Sequence, residues 1–299
     1  MHKALLIAST ILLTTSSFAQ SKKEMKQAKE DAMQNPIPYV IYNEEGNSAT
    51  FNDIVQDAMN ADIVMFGELH NNPIVHWLQL VLTEEIGSKT NNLVLGAEMF
   101  ERDDQLPLNE YLNDVINYSK LETNARLWPN FETDYKPLVD YAKENELPFI
   151  ATNVPRRYAS FVYKFGLDTL QHLSAEAKSY LPPLPIEFDI NLISHQEMLD
   201  MAGGHGGENL PKAQAIKDAT MADAILDNLP NDGIFIHYHG AFHSQYREGI
   251  VWYLLQKNPE LKIITINSTE QDSIIPLGEE SSNIADYTIV TPSNITKTH

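Results

Sequence analysis

Two short corners of the sequence carry residue types that can bind a metal, transfer protons or hold a polar ligand. Glu68 and His70 follow the apolar run at residues 63–66, and residues 72–73 are Asn-Pro, a typical start of a helix. The pattern therefore predicts that Glu68 and His70 leave the carboxyl end of a buried strand just before a helix. In open α/β sheets, ligands bind in the crevice outside such strand ends.

A weak internal repeat provides a second corner of the same kind. Residues 62–70 form an apolar strand pattern followed by Gly-x-x-His, and residues 233–243 repeat this order up to Gly240 and His243. Glycine lets the backbone turn sharply, so the imidazole three residues later can face back across the strand ends. We predict that His70 and His243 face one shared crevice.

Glu98 adds a further carboxylate, because it follows the apolar run at residues 93–97. Imidazole and carboxylate groups suit Mn, Zn or Fe, so Glu68, His70, Glu98 and His243 are candidate metal ligands. A metal with an open coordination position would activate water. The alternative is a hydrogen-bonded network of glutamate and histidine that shapes the strand ends without a metal.

Two arginines follow a third predicted strand, at residues 149–151. Arg156 and Arg157 come after Asn153 at a predicted helix start. A guanidinium there can hold a carboxylate or a phosphate through two hydrogen bonds. The alternative pairs one arginine with Glu98 or Glu68 and leaves the other in solvent.

Other polar residues lie on predicted helices. His76 is opposite the apolar stripe of its helix, and we predict that it faces solvent, with a ligand as the alternative. Gln214 and Asp218 share a stripe with apolar residues, so they either support the crevice or lie at an exposed edge. A second candidate set combines imidazole and thioether groups, which both ligate haem iron. The members of this set are His195, Met198, Met201 and His205. The alternative is an ordinary packed helix followed by a loop, without a ligand.

Composition limits the classes of partner. The chain of 299 residues has a formal net charge of −20, and such a surface repels nucleic acid and anionic lipid. It contains no cysteine, which excludes disulfides, thiolate metal sites and a lipid anchor on cysteine. We expect no nucleic-acid partner.

The chain is predicted to have one folded domain behind an export signal. Residues 1–19 resemble a secretory signal peptide, with Lys3, an apolar stretch and a small-x-small cleavage site, and the apolar stretch is too short for a membrane span. Residues 20–38 are a predicted polar linker, and residues 39–299 a single domain with a helical insertion at about 166–209. Outside that insertion, strands alternate with helices, which predicts an α/β fold with a mostly parallel sheet and helices on both faces. We expect an exported protein, periplasmic or extracellular.

Several blocks of the sequence together resemble the ChaN family of haem-binding uptake proteins. This family belongs to the Tiki superfamily, which includes TraB-type proteins and is related to the erythromycin esterases. The blocks, spread over residues 39–266, are FGELHNNPIVHWLQL, LGAEMFERDDQ, ATNVPRRYA, LPKAQAIKDATMA and HYHGAFHSQYREGIVWYL. The resemblance implies an α/β fold, a haem pocket that can form in a homodimer, and a role in iron acquisition.

The resemblance also assigns roles to individual residues. In metalloprotease members of the superfamily the two Gly-x-x-His motifs belong to the metal site, and here they match Gly67–His70 and Gly240–His243. ChaN-like proteins are often lipoproteins, and this chain departs from them because it has no cysteine.

Haem needs an apolar slot, an axial Tyr, His or Met, and cations for its propionates. The predicted cofactor-binding residues are Arg156, Arg157, Asn153, Tyr158, Trp77 and Phe242. The tyrosines next to the crevice blocks are candidates for the axial ligand: Tyr158, Tyr163 and Tyr246.

The sequence therefore favours an exported haem-binding protein with a role in haem or iron uptake. The alternative is a metal-dependent or acid–base hydrolase, in which Glu68 is the catalytic base and His70 and His243 hold a metal or the developing oxyanion. A third interpretation is a non-catalytic domain that binds a partner and whose crevice is vestigial.

Overall fold

A single mixed sheet organises the protein. The computed structural model describes residues 36–203 and 205–299, so the predicted signal peptide and most of the predicted linker lie outside the described residues. The strands are β1 (Val40–Asn43), β2 (Ser48–Ala49), β3 (Ile63–Glu68), β4 (Leu93–Glu101), β5 (Phe149–Asn153), β6 (Ile234–Gly240), β7 (Ile263–Gln271) and β8 (Tyr287–Pro292). They form an eight-stranded sheet in the order β2-β1-β8-β7-β3-β6-β4-β5.

The sheet is mostly parallel, as predicted. All neighbouring pairs from β8 to β5 in that order run parallel, whereas β1 is antiparallel to both β8 and β2. Strand β8 is the last in the sequence but lies inside the sheet, between β7 and β1.

Helices cover both faces of the sheet. They are α1 (Phe51–Ala58), α2 (Pro73–Gly87), α3 (Gln105–Leu112), α4 (Tyr118–Asn124), α5 (Lys136–Glu144), α6 (Arg156–Phe165), α7 (Ala175–Lys178), α8 (Ile193–Met201), α9 (Asn209–Asp227) and α10 (Ile250–Lys257). Successive residues of β3 point to opposite faces. Val64 and Phe66 join the core under α1 and α2, whereas Ile63 and Met65 pack against α9 and α10.

The start of α2 shows how local sequence positions the site. The side chain of Asn72 accepts hydrogen bonds from the backbone N–H groups of Ile74 and Val75, and Pro73 occupies the first helical position. This cap ends the turn that carries His70.

The segment 166–209 contains α7, α8 and a 3-10 turn (Leu167–His172), with no strand among its described residues. Its status as a separate insertion stays a prediction.

No helix in the described part of the chain combines the length and the apolar character that crossing a membrane requires.

Candidate functional site

The sheet order brings the two Gly-x-x-His corners together. Strands β3 and β6 are adjacent and parallel, and Glu68 is in register with Gly240. A cavity of about 1380 Å³ opens at the carboxyl ends of these strands and of β4. The cavity wall includes Glu68, His70, Glu98 and His243, so both distant imidazoles face the same space.

Glu68 is the centre of one buried network. Its carboxylate accepts hydrogen bonds from His70 Nδ1 (2.9 Å), Tyr135 Oη (2.7 Å) and Gln79 Nε2 (2.6 Å). Burial raises the pKa of Glu68, but the hydrogen bond from His70 and the charge of His76 outweigh burial and place the pKa below its usual value. Glu68 is therefore an ionised hydrogen-bond acceptor whose oxygens are both in use.

His70 is the exposed member of this network. Its side chain remains 38% exposed, although its ring lies edge-on to Trp128 at 4.8 Å between centroids. Burial lowers the pKa of His70, but the hydrogen bond to Glu68 and the negative charge of Glu68 outweigh burial, so the pKa of His70 lies above its ordinary value. Its Nε2 lies close to Gly240, where an added Cβ would come within 2.7 Å. The second glycine is thus needed to make room for the first histidine.

His243 is the centre of a second buried network. Its Nε2 donates to Glu98 at 3.0 Å, and its Nδ1 donates to Asp218. The side-chain amide of Gln214 lies 2.9 Å from Nδ1. Burial alone would lower the pKa of His243, but the carboxylates of Glu98 and Asp218 raise it to about 9. His243 is therefore an imidazolium held between two carboxylates, and Gln214 and Asp218 support the crevice.

The expectation of a divalent metal is not supported. Among residues 36–203 and 205–299, no group of three or more histidine or acidic side chains is arranged to hold a metal ion. The four candidate ligands are instead paired with each other, Glu68 with His70 and Glu98 with His243. This arrangement matches the alternative of a glutamate–histidine network.

The cations of the site differ from those predicted. Arg156 lines the cavity, whereas Arg157 forms an ion pair with Asp103 outside the cavity wall. Lys217 also lines the cavity. Within the described residues, neither the Arg156 guanidinium nor the Lys217 ammonium has a hydrogen-bond or ion-pair partner among the side chains. Two cations are therefore available to an anionic ligand.

The remaining predicted cofactor-binding residues divide into two groups. Phe242 and Asn153 line the cavity, and the buried Asn153 Oδ1 has no hydrogen-bond partner in the part of the chain that the structure describes. Trp77 lies elsewhere, 53% exposed and next to Tyr39, and the ring of Tyr158 stacks under the Arg157 guanidinium. Neither Trp77 nor Tyr158 belongs to the cavity wall.

Comparison with known proteins identifies the family. The model of the family described as haem-binding uptake, Tiki superfamily, ChaN, matches residues 54–254. The chain belongs to this family. A solved ChaN structure of Campylobacter jejuni, described as binding haem cofacially, has a TM-score of 0.65 at 16% identity and covers 86% of this chain and 98% of that one. At this identity the likeness shows the fold alone.

More distant relatives add context only. The protein RETICULATA-RELATED 5, chloroplastic, of Arabidopsis thaliana is 25% identical in an alignment of 252 residues that covers 77% of this chain. The match spans only 34% of that protein's length. The erythromycin esterase EreC in its open conformation has a TM-score of 0.44 at 11% identity, covering 86% of this chain and 83% of that one, and this likeness carries no argument.

Several site residues of this ChaN-family chain were not predicted from the sequence. His76 was expected in solvent, and this is wrong: it is buried, and its Nε2 donates to the carbonyl of His70 at 3.1 Å. Gln79 was missed because nothing local marks a buried polar residue on a largely apolar helix, and Tyr135 because it belongs to a short polar segment, Phe131–Tyr135, that gives no sign of burial. Tyr118 and Trp128 were missed because the segment between β4 and β5 gives no strand-end signal.

Only some members of the second candidate set of histidines and methionines lie at the cavity, and the tyrosines proposed as axial ligands do not. Met198 and Met201 line the cavity, whereas His195 is buried away from it against Phe188. Tyr246 donates a hydrogen bond to Glu197 at 2.6 Å. The remaining members, His205 and Tyr163, lie outside the cavity wall.

Proposed function

We propose that this chain binds haem in the cavity at the carboxyl ends of β3, β4 and β6. The observation that carries the proposal is the composition of the cavity wall, where His70, aromatic rings and two cations meet. Its volume of about 1380 Å³ exceeds the range of about 300–1,000 Å³ that is usual for drug-sized ligands, and so leaves room for a larger flat one. Family membership supports the same conclusion.

The cavity wall fits the chemical requirements of the ligand. Haem supplies an iron that accepts an axial ligand and two propionates that need cations. Trp128, Phe131 and Phe242 offer apolar surface, and Arg156 and Lys217 offer positive charge. The protein carries a net charge of −20 and the cavity wall also includes five glutamates, so the attraction for the propionates would come from Arg156 and Lys217 themselves.

His70 would hold the iron. Its Nδ1 is hydrogen-bonded to Glu68, and a ligating histidine usually donates its other ring N–H to a carboxylate, which fixes the orientation of the ring. Tyr118 also lines the cavity, but burial and the nearby Glu122 and Glu132 raise its pKa, which disfavours the phenolate. The pKa of His70 is raised as well, from a much lower ordinary value, so iron binding to His70 would require loss of one ring proton and should strengthen as the pH rises. Glu68 would thus affect iron binding indirectly, because its hydrogen bond fixes the orientation of the His70 ring.

Haemin titration tests the proposal. The wild-type chain should shift the Soret band at micromolar haemin, and His70→Ala should change the band position and weaken binding by tenfold or more. His172→Ala is a matched control because His172 is exposed and outside the cavity. A wild-type chain that gives no Soret shift at micromolar haemin would contradict haem binding.

We propose a role in haem or iron uptake for an exported protein, periplasmic or extracellular, on the basis of the family and of the predicted signal at residues 1–19. Cleavage would make Gln20 the first residue of the mature protein, and N-terminal sequencing of the exported form would detect it. An uncleaved chain in the cytoplasm would contradict export.

We also propose a homodimer, because the exposed Phe242 and Met201 both lie at the cavity, where a second copy would cover them. Light scattering with and without haemin should give twice the monomer mass in at least one state.

Hydrolysis is the second candidate function, and the geometry of Glu68 weighs against it. Its two oxygens are occupied and its pKa is lowered, so it is a poor base for activating water. An activity lost in Glu68→Gln and independent of haemin would favour the hydrolase.

A further inference from the structure

Residues 297–299 reach the mouth of the cavity from the far end of the chain. The backbone N–H of Thr298 donates to the carbonyl of Asn71 at 3.1 Å, in the turn that carries His70. The Thr298 hydroxyl donates to Asp134 Oδ2 at 2.6 Å, and Lys297 pairs with Glu270. These contacts place His299 in the cavity wall.

The carboxylate that holds Thr298 also supports His70. Asn130 Nδ2 bridges Asp134 Oδ2 (2.6 Å) and the carbonyl of His70 (2.7 Å). His76 Nε2 lies 3.4 Å from Asp134 and donates to the same carbonyl. Since Asp134 is buried, its hydrogen bonds are protected from competition with water. Residues 297–299 are therefore connected to the position of His70 by two routes, Asn71 and Asp134.

We propose that residues 297–299 form part of the ligand site, with Thr298 as a positioning residue and His299 as a residue that contacts the bound ligand. The inference rests on the proposed function, because the ligand is taken to be a flat porphyrin with carboxylate groups. The His299 imidazole can donate a hydrogen bond to such a carboxylate or ligate the iron. The site would then combine the carboxyl ends of β3, β4 and β6 with a segment that follows β8.

The first test needs no ligand. Hydrogen exchange followed by mass spectrometry should show slow exchange for the peptide that includes Thr298 in the full wild-type chain. Thr298→Val should accelerate this exchange by roughly tenfold or more, because it removes a hydrogen bond to a carboxylate. Thr296→Val is the matched control, since Thr296 is exposed and its hydroxyl has no hydrogen-bond partner in the described residues. Fast exchange in the wild-type chain, or equal exchange in both variants, overturns the docking of residues 297–299.

The second test uses haemin. His299→Ala should weaken haemin binding by about fivefold or more while leaving the melting temperature unchanged, and His172→Ala should leave both unchanged. An unchanged Soret position with weaker binding assigns His299 to a carboxylate group, and a shifted band assigns it to the iron. Wild-type binding that His299→Ala leaves intact overturns the contact with the ligand. No binding by the wild-type chain overturns the proposed function and the ligand contact together, while the exchange result still decides the docking.

Discussion

His243 links the stability of the protein to pH. The imidazole lies between Glu98 and Asp218, and all three side chains are buried. Burial by itself would disfavour the charged ring, yet the two carboxylates raise the pKa to about 9, from 6.5 in the unfolded chain. Since the folded state binds the proton more tightly, His243 stabilises the fold while it is protonated.

This stabilisation should be fully present below about pH 6.5 and should be lost progressively as the pH rises to about 9. We expect the free energy of unfolding to fall by on the order of 2–3 kcal/mol across this range, measured by urea denaturation. Asp218→Asn removes one of the two charges and so lowers the pKa of His243 in the folded state; the loss of stability should therefore be smaller and be complete at a lower pH than in the wild type. A free energy of unfolding that stays constant between pH 6.5 and 9 would contradict the assignment of His243 as a buried imidazolium.

Gln79 stabilises the ionised form of Glu68, whose exposed fraction is only 1%. Gln79→Leu leaves a buried carboxylate oxygen without a donor, and we expect a loss of about 1–3 kcal/mol in the free energy of unfolding. Gln56→Leu is the matched control, because Gln56 is exposed on α1 and should change stability by less than about 0.5 kcal/mol. Equal effects of the two substitutions would argue against the Glu68 network.

Residue types and spacing identified the charged members of the site but not their partners. Glu68, His70, Glu98 and His243 each follow an apolar strand, which is a local signal. Tyr135 contacts Glu68 across 67 positions of the sequence, and such a contact depends on the packing of α2 against the segment before α5.

At the scale of elements, the close approach of β3 to the turn after β6 depends on Gly67. A Cβ at this position would come within 3.0 Å of the Ala241 Cα and the Ile266 carbonyl oxygen, which are backbone atoms and cannot rotate away. The glycine therefore sets the distance between the two Gly-x-x-His corners.

Gly67→Ala should move the turn Ala241–His243 away from β3. We expect a loss of about 1–3 kcal/mol in the free energy of unfolding, as for overpacking in a core, and weaker haemin binding. Urea denaturation followed by circular dichroism would measure the first effect and haemin titration the second. Unchanged stability would show that the sheet can absorb the extra methyl group.

Most elements could be predicted from sequence because each central strand is a short apolar run between polar turns. The ends were less predictable: β4 continues to Glu101, four residues beyond its apolar run, because its pairing with β5 resumes after an irregularity. The prediction for His76 failed because a second face of α2, opposite the apolar stripe, is also buried. The segment before α5 covers that face, and the Tyr135 ring packs against His76 there.

At the scale of the whole molecule, the net charge of −20 surrounds a cavity whose wall includes five glutamates and two unpaired cations of the described chain, Arg156 and Lys217. Salt screens charges beyond about 10 Å at 0.1 M, so it weakens the overall repulsion more than the attraction inside the cavity. The association rate of haemin should therefore rise with added NaCl in stopped-flow measurements. Lys217→Gln should associate more slowly at every salt concentration, and a rate that falls with salt would contradict this balance of charges.

The order of the strands could not be predicted from local patterns. The alternation of strands and helices gives the α/β class, but it does not place β6 between β3 and β4. That placement forms the cavity, since it brings residues separated by more than 140 positions, such as Glu98 and His243, into hydrogen-bond contact.

The position of His299 has a practical consequence for handling the protein. A purification tag fused directly after this residue would begin beside the cavity and next to the bonds from Thr298 to Asn71 and Asp134. A polyhistidine tag there would also bring extra imidazoles to the entrance and produce spurious haemin spectra. A cleavable spacer should therefore separate any tag from His299.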